Sequence, residues 1–194
     1  MGKFRKTAAI IILSVIIILI CTACNSKNVN FLSKKPDLNT QYEAEMQVQA
    51  GELEFSCIVR RYGMEFWEMS VDAPETLAGL KIAASSETVR ATLDDLVLDI
   101  PLEDVRSTAV FSLIFKALDN ASVNTLSCTE TEEGMYYEGE FGGVIYRITF
   151  DTESLRPILL EIPEAELTAE IKGFKTIEEA EEMEALTQTT AATD

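Results

Sequence analysis

A chain of 194 residues, 47% hydrophobic and 25% charged, has the balance of one globular domain and is too short for two large ones. Sixteen Lys and Arg stand against 33 Asp and Glu, a formal charge of −17, so no basic surface is available to neutralise phosphates and nucleic acid is not an expected partner. The absence of histidine removes His-based triads, imidazole general bases and His-ligated metals together.

Met1 to Thr7 carry Lys3, Arg5 and Lys6 and no acid, and Ala8 to Ala23 form an uncharged, mostly aliphatic run that ends at Cys24. A membrane span needs about 20 apolar residues, and this run is shorter and meets a polar segment at once, so residues 1–23 read as a signal peptide. Thr22 and Ala23 before Cys24 resemble the lipobox of bacterial lipoproteins, although Cys21 stands where an aliphatic residue is usual. The resemblance implies a diacylglycerol cysteine at Cys24, which becomes the first residue of the mature chain, with two acyl chains that suffice for stable anchoring. An uncleaved anchor is the alternative. Either way the cations stay inside, and the remainder is expected at the extracytoplasmic face of the bacterial cell membrane. Without residues 1–23 the chain has 13 cations against 33 acids, a charge of −20 that anionic headgroups repel. Residues 24–40 comprise the lipidated cysteine and a polar, aperiodic flexible linker containing Lys27, Lys34, Lys35 and Pro36.

From Gln41 the pattern becomes strict alternation, with Tyr42, Ala44, Met46 and Val48 on one face of a half-buried strand. After Gly51 the same device returns over 52–62, where Leu53, Phe55, Cys57 and Val59 share a face, and a hairpin joins the two. A third strand over 64–72 carries Trp67, Met69 and Val71, and Pro74 and Gly79 bracket an irregular segment. Strands are predicted at 80–84 and 89–100, the latter bent at Asp94-Asp95. A helix is predicted over 103–119, where Val110, Leu113, Ile114, Ala117 and Leu118 recur at helical spacing and Phe111 and Phe115 widen the stripe. Glu103 and Asp104 suit its first turn, and Asn120 its end. Strands follow at 121–130, 135–141, 144–150, 157–162 and 167–174. Thr176-Ile177-Glu178-Glu179 suits a capping box, so 176–194 reads as a short acidic helix with a disordered tail.

About ten strands and one long apolar helix make an α+β layout dominated by one curved antiparallel sheet, with a central covering helix and a short C-terminal helix. A single helix closes only part of a long sheet, so an incompletely filled concave face is expected, suited to something hydrophobic. The Trp-bearing strand followed by Pro74-Glu75-Thr76-Leu77-Ala78-Gly79-Leu80, the central helix, Asp151-Thr152-Glu153-Ser154-Leu155-Arg156-Pro157 and the final Ile171-Lys172-Gly173-Phe174-Lys175 together resemble the LolA-like lipoprotein-carrier superfamily. Residues 41–175 carry the resemblance. It implies an unclosed β-barrel with helices as a lid, holding acyl chains inside, as in lipoprotein receptors and the LppX- and LprG-like mycobacterial lipid carriers. A tethered receptor or local transfer module fits an anchored chain better than a free shuttle.

Tyr42, Met46, Phe55, Trp67, Met69, Phe111, Phe115 and Tyr146 are the candidate lining of a ligand cavity. Cys57 and Cys128, both on apolar faces, suit either an extracytoplasmic disulfide or two buried thiols. Asp94, Asp95, Asp99 and the run Glu178 to Glu182 read as solvated acids, since no calcium-loop spacing accompanies them, and no metal ligand, cofactor motif or catalytic residue is expected. The leading expectation is a non-catalytic, membrane-anchored lipoprotein that binds a lipid or other hydrophobic ligand between sheet and helix. The alternative is a cell-envelope protein-interaction or structural module with a filled core.

Overall fold

The computed structural model describes residues 38–106, 108–124, 127–130 and 135–177. Residues 1–23, Cys24, the linker up to 37 and the acidic tail beyond 177 lie outside the described residues, and with them the expected leader, lipidation site and C-terminal helix.

Alternation organises the domain as expected, in eleven strands. β1 (Tyr42–Ala50), β2 (Leu53–Gly63) and β3 (Phe66–Ala73) lead into β4 (Lys81–Ala84), β5 (Thr88–Leu93) and β6 (Leu96–Pro101). Helix α1 (Val110–Val123) follows, then β7 (Ser127–Glu130), β8 (Met135–Phe141), β9 (Val144–Phe150), β10 (Pro157–Ile162) and β11 (Leu167–Thr176). All pairings are antiparallel, in the order β6-β5-β4-β3-β2-β1-β11-β10-β9-β8-β7. Two meanders of sequential hairpins are thus fused where the first strand meets the last. Among the described residues the sheet does not close: β6 pairs only with β5, and β7 only with β8. The single link between the meanders leaves from one edge of the sheet and returns at the other, and α1 makes that crossing over the apolar face.

That face is one continuous core. Tyr42, Ala44, Met46 and Val48 of β1, Phe55, Cys57 and Val59 of β2, and Trp67, Met69 and Val71 of β3 are all buried, as are Tyr146, Ile148 and Phe150 of β9. Leu113, Ile114, Phe115, Ala117, Leu118 and Ala121 are the buried stripe of α1. The β1–β11 register shifts between Glu45 and Met46, opposite Gly173 and Ile171, so Lys172 is the extra residue of a bulge. Gly173 suits that site, since a Cβ there would lie 3.2 Å from Glu45 Cδ. Beyond the bulge, Phe174 reaches the ring of Tyr42 at 4.7 Å between centroids.

Several boundaries differ from expectation for local reasons. The bent strand over 89–100 is a hairpin, because Asp94 adopts φ 49°, a left-handed conformation that short polar side chains tolerate. Glu103 and Asp104 belong to a separate 3-10 turn, Leu102–Asp104, and α1 begins only at Val110. Asn120 does not end the helix. Its side chain accepts a hydrogen bond from Tyr146 Oη at 2.7 Å, the helix runs on to Val123, and the predicted strand over 121–130 shrinks to Ser127–Glu130. Thr176 closes β11, and Ile177, the last described residue, is helical.

Candidate functional site

The expected cavity residues do converge, but on one another. Phe115 of α1 stacks on Trp67 of β3 with centroids 5.0 Å apart and planes 8° from parallel. Trp67 meets Tyr42 edge-on at 6.0 Å, Tyr42 meets Phe174, and Phe111 tilts against Phe115 at 6.0 Å. Five rings therefore form an unbroken chain from the helix to β3, β1 and β11. Of the eight candidates, Phe111 alone is only partly buried; Met46, Phe55, Met69 and Tyr146 belong to the same buried cluster. Offset or edge-on ring pairs contribute about 0.5–1.5 kcal/mol each beyond area burial, so this chain ties helix to sheet.

A polar cluster closes the same region, and its two principal members were not among the sequence candidates. Arg61 continues the inward-facing series of β2 after Val59 and is 1% exposed. Its Nε donates to Asp119 Oδ1 at 3.1 Å, its Nη1 to the Thr40 carbonyl at 3.1 Å and its Nη2 to Ser122 Oγ at 3.3 Å. Asp119 Oδ2 also accepts from Trp67 Nε1 at 2.8 Å and from the backbone N–H of Glu65 at 3.0 Å, where Glu65 holds φ 62°. Ser122 Oγ donates to the Asp119 carbonyl at 2.7 Å, and the Arg61 guanidinium lies 5.7 Å from the Trp67 ring centre. A buried ion pair with its remaining donors and acceptors satisfied holds elements in register even where its net stabilisation is small. The sequence signal was available: a cation at an inward alternation position, and an acid one turn after Phe115 on the apolar stripe.

Beside this cluster the Tyr42 hydroxyl is buried without a hydrogen-bond partner. Burial pushes its ionisation far up; Arg61 pulls it down and Asp119 raises it further, both by less, so Tyr42 is a neutral phenol. Burial likewise raises Tyr146.

Cys57 is a free, buried thiol, with its ionisation pushed up to about 12 by burial and secondarily by the charge of Asp72. The inward position of Cys57 on β2 is satisfied by apolar packing, as the buried-thiol alternative expects. Cys128 lies on β7, where it pairs with Tyr137, and only its backbone is described. A thiol so hard to ionise is a poor nucleophile and a poor metal ligand. Among the described residues no cluster of three His, Cys, Asp or Glu could hold a metal, and no helix is long and apolar enough to cross a membrane.

On the opposite face, Glu43 of β1 is flanked by its cross-strand neighbours Arg60 and Lys175, with Oε2 2.7 Å from Arg60 Nε and Oε1 2.9 Å from Lys175 Nζ. Burial pushes the Glu43 carboxyl up, but the hydrogen bonds from Lys175 and Arg60 outweigh it and hold the group below its ordinary value.

A second surface stands apart from this closed interior. In the β5–β6 hairpin, Leu96, Val97 and Leu98 are 74%, 60% and 58% exposed. Register places Leu98 opposite Ala91 and Ile100 opposite Val89, so Leu96, Leu98 and Ile100 share the face on which Val89 is buried. The apolar face of the sheet thus runs out beyond its cover.

No family model matches the chain, and no curated protein matches it. Solved structures to which it is similar include an uncharacterized conserved protein from Thermus thermophilus, at 17% identity and a TM-score of 0.46 over 72% of this chain and 80% of that one. A LolA superfamily protein from Nitrosomonas europaea is similar at 12% identity and a TM-score of 0.39, over 74% and 87% of the two chains. So is a structure of the CwlD amidase from Clostridioides difficile in complex with the GerS lipoprotein, at 14% identity and a TM-score of 0.40, over 71% and 83%. The architecture is an open antiparallel sheet with one helix across its apolar face.

Proposed function

We propose that the chain is a non-catalytic lipoprotein, anchored through Cys24 at the extracytoplasmic face of the cell membrane, whose domain engages a protein partner in the envelope. The observation that carries this reading is the stack of Phe115 on Trp67, closed by Asp119 bound to both Arg61 and Trp67. The rings that a sheet-and-helix carrier would turn toward its ligand pack here on one another, which supports a filled core. Opening it for an acyl chain would separate a stacked pair and expose a paired charge. The aromatic set then acts as core, and recognition falls to the surface.

The second reading keeps a lipid or other hydrophobic ligand. It is favoured by the open sheet and by the uncovered apolar residues of β5–β6, and burial of acyl methylenes at about 0.8 kcal/mol each would drive it.

Native mass spectrometry of residues 30–194, followed by organic extraction, separates the two. The filled-core reading expects an apo mass that takes up neither phospholipid nor fatty acid. Near-stoichiometric co-purified lipid overturns it in favour of the second. For the anchor, Cys24→Ala is expected to abolish incorporation of labelled palmitate, and unchanged labelling would remove Cys24 as the site.

A further inference from the structure

We infer that β6 is the docking edge for an extended, basic segment of a partner protein, which adds to the sheet as a twelfth strand. The inference rests on the reading of the domain as a protein-binding module and names where the partner sits and what chemistry it brings.

β6 is one end of the sheet, so every second residue turns its backbone N–H and C=O away from β5 toward a side that no described strand occupies. Edges of this kind are usually blunted by shortness, by lysine or by proline. β7, the opposite edge, is only four residues long and reads Ser-Cys-Thr-Glu. β6 has six residues, opens with three consecutive exposed aliphatics and meets its proline only at Pro101. Unpaired backbone groups flanked by uncovered Leu96, Val97 and Leu98 are what strand addition uses: main-chain hydrogen bonds for affinity and alternate side chains for selectivity.

Charge decides the occupant. Residues 87–104 hold six acids (Glu87, Asp94, Asp95, Asp99, Glu103 and Asp104) against Arg90, a net charge of −5. Arg90 is already engaged, its Nε and Nη2 donating to the two carboxylate oxygens of Asp99 at 2.7 and 3.0 Å. The free edge is therefore an apolar strip framed by unneutralised carboxylates. A second copy would bring the same acids onto these and a like-charged body behind them, and an anionic membrane surface is repelled in the same way. A strand with aliphatics at alternate positions and Lys or Arg between or beside them satisfies both the strip and its frame.

The test uses the full chain in nonionic detergent and a defined probe, a nine-residue peptide that alternates valine with lysine and threonine, beside its counterpart with glutamate for lysine. The lysine peptide is expected to bind, to slow amide exchange across Leu96–Ile100 and to weaken on raising salt. The glutamate peptide is expected to bind at least about tenfold more weakly, since like charges face each other across the edge. Val97→Pro, which distorts the edge, is expected to abolish the protection. Leu98→Ser, at an exposed position, is expected to keep the melting temperature and weaken binding about tenfold through lost apolar contact. Four outcomes overturn the inference: no protection of β6 by the lysine peptide, equal binding of both peptides, a dimer that protects β6 without peptide, or protection conferred only by phosphatidylglycerol vesicles. Lipid extracted from the interior while β6 still takes the peptide would sink the filled-core reading and leave this one standing. An apo interior with an unprotected β6 would do the reverse.

Discussion

Two stretches of the same sheet face meet opposite fates. Under α1, Tyr42, Met69 and Tyr146 are sealed, and even a guanidinium is 1% exposed because each of its three nitrogens donates to an acceptor. Three strands beyond Met69, at the β6 edge, Leu96 and Leu98 extend that face into solvent. Leu98 and Ile100 keep the inward register of Ala91 and Val89; the difference is the cover, since one fourteen-residue helix spans only part of an eleven-strand sheet. A run of bare aliphatics such as Leu96 to Leu98 marks a place to be occupied, whereas apolar surface matched ring against ring is core.

The comparison breaks most sharply at Asp119. Asp119→Ala leaves Arg61 buried without its carboxylate and strands Trp67 Nε1 and Glu65 N–H, so a loss of about 4 kcal/mol is expected in urea unfolding. A loss below about 1 kcal/mol would show that the helix is not held as described. Phe115→Ala removes the stacked ring and is expected to cost about 3 kcal/mol, with no gain in lipid uptake if the vacated space collapses. Gly139→Ala is next: a Cβ there would overlap the ring and hydroxyl of Tyr146, so its bond to Asn120 must yield, at about 2 kcal/mol in thermal melts.

On the outer face, Glu43→Gln is expected to cost about 1 kcal/mol at neutral pH, from two cross-strand ion pairs. The sign follows from its depressed folded ionisation. The contribution is complete above the ordinary value of 4.5 and disappears as pH falls below it through the folded value, so wild type and variant should converge in acid. The smallest effect belongs to the bare region. Leu98→Ser is expected to alter stability by less than about 0.5 kcal/mol, and a large loss would mean that the hairpin is core after all.

Most of the sheet was legible because a two-residue period is a strong signal wherever one face is buried and the other wet, as in Tyr42 to Val48 and Val144 to Phe150. In the sequence the shift of alternation at Asp94-Asp95 has the look of a bend, and the left-handed Asp94 makes it a reversal. The helix start was misplaced because acids near residue 103 mimic a first turn, although the chain must first leave the edge of the sheet at Pro101. For the candidate site, apolar periodicity found the rings but not their stacking, which depends on strands far apart in sequence. Arg61 and Asp119 were passed over because a charge on an apolar face looks like an interruption until its partner across the core is known.

The fusion of the two meanders at β1 and β11 has a mechanical meaning. Tyr42 pairs with Thr176, so the described domain begins and ends at neighbouring positions in the middle of the sheet. A pull delivered from the N-terminal side enters through a strand hydrogen-bonded along both flanks, and must break two ladders rather than peel one. The edge strands carry none of that load. A domain of this design, pulled at its root, keeps β6 at its rim out of the load path.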